Sequence, residues 1–142
     1  MSLASPENVE FARRLIATEA TNSSLAGTTA NVPLRVIEGL RIHLVRLSGI
    51  DGFRSLLSRA LMLAKAEVPS LAAITVGRTG SLEGFERIEE FPDAGTAGQI
   101  LVAHFLGLLV TFIGESLTFR LVLDQWPDAS VEGVESGAKE IL

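Results

Sequence analysis

The chain has 142 residues, no cysteine and a formal net charge of −5 at pH 7. A single domain of this length can fold without a disulfide or a metal, and the absence of cysteine excludes thiolate catalysis and cysteine-ligated zinc. The acidic balance argues against general nucleic-acid binding, which needs a basic surface to displace counterions from phosphate. Because a cysteine-free chain fits a reducing compartment, we expect a cytoplasmic protein.

The first predicted element is a short helix that starts at Ser5-Pro6-Glu7 and ends near Glu19. A serine cap, a proline in the first turn and an acid near the positive end of the dipole are typical of a helix start. The polar run "TNSSLAGTTAN" that follows has the composition of a linker. We therefore expect a loosely attached helical arm and linker over residues 1–32, a helical core over residues 33–127 and a flexible tail over residues 128–142.

Two amphipathic helices are predicted next, over residues 33–47 and 51–68, with a break in "SGIDG". We expect them to form an antiparallel hairpin packed on a longer helix. This region is rich in basic side chains, whereas residues 83–93 are rich in acidic ones. The favoured interpretation is that these two faces attract each other within the fold or across a dimer, and the alternative is that the arginines bind an acidic partner or phosphate. The basic residues are Arg35, Arg41, Arg46, Arg54, Arg59 and Lys65.

The pattern changes after the second of these helices. Ile74 and Val76 precede the turn sequence Gly77-Arg78-Thr79-Gly80, and Leu82 follows it. This alternation predicts a short β-hairpin or hairpin-like insert over residues 72–85. The sequence "GRTGS" lacks the frame and the lysine of a phosphate-binding P-loop, so a plain turn is favoured.

The charge-free stretch over residues 94–114 predicts a central helix, which we expect to run from residue 97 to residue 125. The stretch is nominally long enough to cross a bilayer, but its opening, "AGTAGQI", is mostly small or polar and no aromatic or basic belt brackets it. Arg120 and Asp124 are four residues apart, which is typical of the water-facing side of a soluble helix. We therefore expect no membrane span.

The predicted fold class is all-α, a small helical bundle around one long apolar central helix with the hairpin as an insert. Trp126 ends the central helix just before Pro127 and is the largest apolar side chain of the sequence. We expect it to be buried.

Small residues form a stripe on the predicted central helix. At about 100° per residue, Gly107, Thr111, Gly114 and Thr118 fall on one side. Glycine inside a helix costs about 1 kcal/mol relative to alanine, so we expect a packing reason for these glycines. The stripe could meet another helix of the same chain or a second copy across a two-fold axis, and the hydrophobic fraction of 47% favours a homodimer.

His104 and Glu115 lie almost on one line of the same helix, about 16 Å apart along its axis. We expect His104 to be a core histidine whose ring finds a polar partner. A carboxylate inside an apolar helix should form an ion pair, for which Arg41 is a candidate, or open into a pocket with His104 and Arg41. With only two histidines and no dense carboxylate cluster, no metal or other cofactor is expected.

No catalytic motif accompanies these residues. The chain contains no G-x-S-x-G, H-E-x-x-H or G-x-G-x-x-G sequence. We therefore expect a non-catalytic, homodimeric interaction or regulatory protein that offers its arginine-bearing helices and its acidic insert to a protein partner. The alternative is a small-molecule-binding protein or enzyme with a pocket near His104 and Glu115.

Overall fold

A computed structural model describes residues 6–22, 32–84 and 94–127. The predicted helical bundle with a β-hairpin insert is confirmed in these residues. Three segments of the sequence lie wholly or mostly outside them: the predicted tail over residues 128–142, the predicted linker and the acidic segment over residues 83–93. The elements in chain order are α1 (Pro6–Asn22), α2 (Val32–Glu67), a 3₁₀ helix (Pro69–Ala73), β1 (Thr75–Val76), β2 (Leu82–Glu83), α3 (Ala94–Ile113) and α4 (Glu115–Gln125).

The centre of the bundle is α3, which packs against both α1 and α2. Residues 101–109 of α3 are all buried, which explains why the sequence is apolar on every side there. Gly98 of α3 lies directly against α2, because a Cβ atom there would overlap the ring of Pro33. A glycine therefore sits where these two helices cross.

The N-terminal helix α1 belongs to the core. Phe11 and Leu15 are 1% and 0% exposed, and the ring of Phe11 meets that of Phe119 edge-on at a centroid distance of 5.3 Å. The expected loose attachment of this segment is wrong for α1, because Phe11, Ala12 and Leu15 of its apolar stripe are buried. The domain boundaries themselves stay predictions.

A glycine interrupts α2 within the predicted break. Gly49 has φ 76° and ψ 170°, which are non-helical angles that favour glycine strongly. It divides α2 into a first half, residues 32–48, and a second half, residues 50–67. Both halves contribute buried side chains to the core, including Leu44 before the break and Phe53 after it. The antiparallel arrangement of the two halves stays a prediction.

A second glycine ends the central helix. Gly114 has φ 92° and ψ 159°, and α4 begins at the next residue. The central helix is confirmed, but its predicted extension to residue 125 is wrong. After the break α4 returns an apolar face to the core through Phe119, Val122 and Trp126, all of which are buried. The expected burial of Trp126 is confirmed, since only 2% of this residue is exposed.

The hairpin is short and antiparallel. Thr75 lies opposite Glu83 and Val76 opposite Leu82. Gly80 closes the turn with φ 82°, and a Cβ at this position would lie 2.8 Å from the ring of Phe53. The turn therefore rests directly on the second half of α2.

Candidate interaction surfaces

His104 lies inside the bundle and is 2% exposed. Its Nε2 contacts the carboxylate of Glu67, the last residue of α2, whose side chain is 42% exposed. A neutral ring that carries its proton on Nε2 can donate to this carboxylate, and Nδ1 is buried without a hydrogen-bond partner. The prediction of a core histidine with a polar partner is confirmed, and the contact ties the end of α2 to α3.

Glu115 is exposed at the start of α4. The expected burial of this carboxylate is wrong, because the helix breaks at Gly114 and Glu115 opens a new helix at the surface. An acid in the first turn interacts favourably with the positive end of the helix dipole. Its position is therefore explained without a pocket or a buried ion pair.

Arg41 and Arg54 reach from α2 to the hairpin turn. Nη2 of Arg41 donates to the carbonyl oxygen of Thr79 at 2.5 Å, and Nε of Arg54 donates to that of Gly77 at 3.3 Å. These two arginines stabilise the turn within the fold. In the part of the chain that the structure describes, no hydrogen bond or ion pair joins Arg41, His104 and Glu115 to one another.

The stripe of small residues is divided between the interior and the surface. Gly107 and Thr118 are buried, whereas Thr111 and Gly114 are exposed. Each threonine hydroxyl donates to the carbonyl oxygen four residues earlier, from Thr111 to Gly107 at 3.0 Å and from Thr118 to Gly114 at 2.8 Å. A Cβ at Gly114 would have nothing within 4 Å, so its positive φ, and not a close approach within the chain, explains this glycine.

The break between α3 and α4 exposes an aromatic side chain. Phe112 is 61% exposed, although the apolar run around it predicts burial. Ile113, the next residue, and Leu117, in the first turn of α4, are half-buried, so each leaves part of its side chain exposed. No signal in the composition marks this position, because the break that exposes it falls inside an apolar run. We call Thr111, Phe112, Ile113, Gly114 and Leu117 the elbow surface.

A second surface runs along the second half of α2 beside β1. Two grooves of about 600 and 270 Å³ adjoin here, because both are lined by Ser58 and Met62. Arg59 and Lys65 form no ion pair within the described residues. Among the described residues that line the two grooves, three cations outnumber one acid, Asp51. We call the two grooves together the basic groove and define it by Arg54, Ser55, Ser58, Arg59, Met62 and Lys65.

Most of α3 has the length and composition of a membrane-crossing helix. The window Thr96–Ile113 has a mean hydropathy of 1.8, and 61% of it is buried within the chain. Because the core helix of a soluble protein has the same length and composition, this window is weak support for a span.

Metal-ligating side chains are not clustered in the described residues. Among residues 6–22, 32–84 and 94–127, no group of three or more His, Cys, Asp or Glu side chains could hold a metal ion.

No protein-family model, curated protein or solved structure matches the chain. The function is therefore inferred from the fold and from its two surfaces.

Proposed function

We propose that this protein is a non-catalytic interaction or regulatory protein that works in the cytoplasm as a homodimer, with the elbow surface as the contact between the copies. The observation that carries the proposal is the 61% exposure of Phe112 at the break between α3 and α4. Aromatic side chains bury a large apolar area on association, and exposed apolar clusters mark interaction sites.

The neighbours of Phe112 suit a two-fold contact. Thr111 and Gly114 are small and exposed, and the space beside Gly114 is open. In a two-fold dimer the same patch is used on both subunits, so Phe112 of each copy can pack over Gly114 of the other. Half-buried Ile113 and Leu117 would extend the apolar contact.

The non-catalytic part of the proposal is supported by the positions of the candidate site residues. The ring of His104 is enclosed in the bundle with Glu67 as its partner, and Glu115 faces water at a helix start. These side chains do not form a shared reactive group. The assignment to the cytoplasm rests on the cysteine-free sequence.

Light scattering on purified protein without detergent tests the dimer. We expect a species of about 30 kDa, twice the chain mass of 15.1 kDa. Phe112→Glu should raise the dimer dissociation constant more than about thirtyfold, because loss of a central aromatic contact costs about 2 kcal/mol. Ile42→Glu is the matched control, because Ile42 is 62% exposed on α2 and lies outside the elbow surface.

Three outcomes would contradict the proposal. The first is a parent protein that stays monomeric at every concentration. The second is dissociation caused by Ile42→Glu and not by Phe112→Glu. The third is a parent protein that requires detergent to remain in solution, which would favour membrane insertion of α3.

A further inference from the structure

We infer that the basic groove is a docking site for an extended acidic peptide segment of a partner protein, with an apolar side chain of that segment placed over Met62. The inference is independent of the dimer contact, because it depends on the second half of α2 and on β1. The elbow surface lies on α3 and α4.

The charges of the groove favour carboxylates. Arg54, Arg59 and Lys65 face a single acid, Asp51, which lies 3.6 Å from Arg54. Arg59 and Lys65 form no ion pair among the described residues, so no carboxylate of residues 6–22, 32–84 or 94–127 neutralises them. Guanidinium groups match the two oxygens of a carboxylate.

One of these cations is already held in place. The Nε of Arg54 donates to the carbonyl oxygen of Gly77, which ties this side chain to the hairpin turn. A side chain that is positioned before binding loses less conformational entropy when a ligand arrives. Arg54 can therefore act as the fixed end of the site.

The spacing of the cations fits an extended chain. Arg54 and Lys65 are eleven residues apart on one helix, or about 16 Å along its axis. An extended peptide rises about 3.3 Å per residue, so about five residues span this distance. In helical projection Met62 lies between Arg54 and Arg59, about 80° from the first and about 60° from the second.

The exposed methionine distinguishes a peptide from a simple anion. Met62 is 64% exposed between the cations, and Ser55 and Ser58 add hydroxyl groups nearby. A flexible thioether side chain adapts to apolar partners of different shape. Phosphate has no apolar group that could make such a contact. Nucleic acid is disfavoured by the net charge of −5 of the chain.

Fluorescence anisotropy can test the site with a labelled peptide of the sequence Glu-Leu-Glu-Gly-Glu-Leu-Glu. We expect saturable binding that weakens as salt is added, because the exposed pairs are screened. The double variant Arg59→Ala, Lys65→Ala should weaken binding about tenfold, as expected for the loss of two exposed charge pairs. Met62→Glu should weaken peptide binding more than the double variant does, since it replaces the apolar contact with a charge that repels glutamate.

Arg46→Ala is the matched control. Arg46 is an exposed arginine on the first half of α2 and does not line the grooves described here. Its removal should leave the peptide affinity unchanged within about twofold, which is the scale of a distant screened charge. Thermal unfolding of every variant shows whether its fold is retained.

Several results would overturn the inference. One is the absence of peptide binding at about 1 mM, where contacts worth about 4 kcal/mol are already visible. Others are equal binding of a peptide with glutamine in place of glutamate, or an equal loss in Arg46→Ala. Displacement of the peptide by inorganic phosphate at the same concentration would reduce the groove to a general anion site. Dissociation of the parent dimer by Arg59→Ala, Lys65→Ala would assign the groove to a second copy.

Discussion

Two glycines break helices in this protein, and their backbones are almost the same. Gly49 has φ 76° and ψ 170°, and Gly114 has φ 92° and ψ 159°. Neither has an atom within 4 Å of the position that a Cβ would take. Both positions are therefore explained by backbone conformation, which glycine alone adopts without strain.

The two breaks differ in how the sequence presents them. Gly49 lies in "SGIDG", whose serine, aspartate and second glycine are typical of a turn. Gly114 lies in "TFIGESL", next to apolar residues and helix formers that continue the pattern on both sides. A glycine inside an apolar run can mark a close approach or a break, and composition does not separate the two.

Different elements hold the helix that follows each break. After Gly49, Phe53 packs edge-on against Phe105 of α3 at 6.0 Å. After Gly114, the indole Nε1 of Trp126 donates to Glu19 of α1 at 2.9 Å. The helix after the first break thus packs on the central helix. The helix after the second is tied to α1 by Trp126 and to α2 by the hydrogen bond between His43 Nε2 and Gln125 Oε1 at 3.2 Å.

The largest effect is expected from Trp126, because it fixes α4 beyond the second break. Trp126→Ala should lower the free energy of unfolding by about 3–5 kcal/mol, the cost of truncating a buried aromatic side chain. Trp126→Phe should cost less, since it keeps most of the apolar contact and loses the hydrogen bond to Glu19. Urea unfolding followed by circular dichroism measures both. A loss below about 1 kcal/mol for the alanine variant would show that other contacts hold α4.

The next prediction tests whether backbone conformation or close packing explains the glycine at each break. At concentrations where the protein is monomeric, Gly114→Ala and Gly114→Leu should cost similar amounts, about 1–3 kcal/mol, because the forbidden φ and not the space within the chain limits them. Gly49→Ala should behave in the same way. The contrast is Gly39, where a Cβ would lie 2.9 Å from the ring of Trp126, so leucine should cost far more than alanine. If Gly114→Ala were tolerated and Gly114→Leu were not, close packing at this position would explain the glycine instead.

A smaller effect is expected from the first residue after the second break. Glu115→Ala should lower the unfolding free energy by only about 0.3–1 kcal/mol, the value of an exposed acid at a helix N-terminus. Glu115→Gln should be equally mild. A measured loss of about 2–5 kcal/mol would instead indicate a buried ion pair, and the exposed position would then be wrong.

The smallest effect concerns α1, whose Glu19 accepts the hydrogen bond from Trp126. Hydrogen bonds from Arg13 and then Arg14 lower the pKa of Glu10 from 4.5 to about 2. Because the pKa is lower in the folded state, these pairs stabilise α1 above about pH 4.5, and this stabilisation is lost as the pH falls towards 2. Glu10→Gln should remove this part of the acid response. Superimposable acid titrations of Trp126 fluorescence for parent and variant would contradict it.

The periodic features could be predicted from the sequence. The helical bundle, the hairpin, the break near Gly49 and the burial of His104 and Trp126 follow from spacing and turn composition. The small-residue stripe was less informative, because Gly98, which packs against Pro33 of α2, is not a member of the stripe.

The remaining features depend on tertiary contacts between distant residues. The partner of His104 is Glu67, which lies 37 positions earlier, and no local pattern connects them. The burial of α1 likewise depends on distant residues, since it packs mainly against α3 and Phe11 contacts Phe119 of α4. The break at Gly114 and the exposure of Phe112 follow from how α4 reaches these contacts, so periodicity alone misses both.

The contact between Glu19 and Trp126 also has a consequence for synthesis on the ribosome. The two residues are 107 positions apart, so α1 leaves the exit tunnel long before the helix that covers Phe11 has been translated. Domains are completed as units during synthesis, and distant contacts form last. The apolar face of α1 therefore stays exposed until α3 and α4 have been translated.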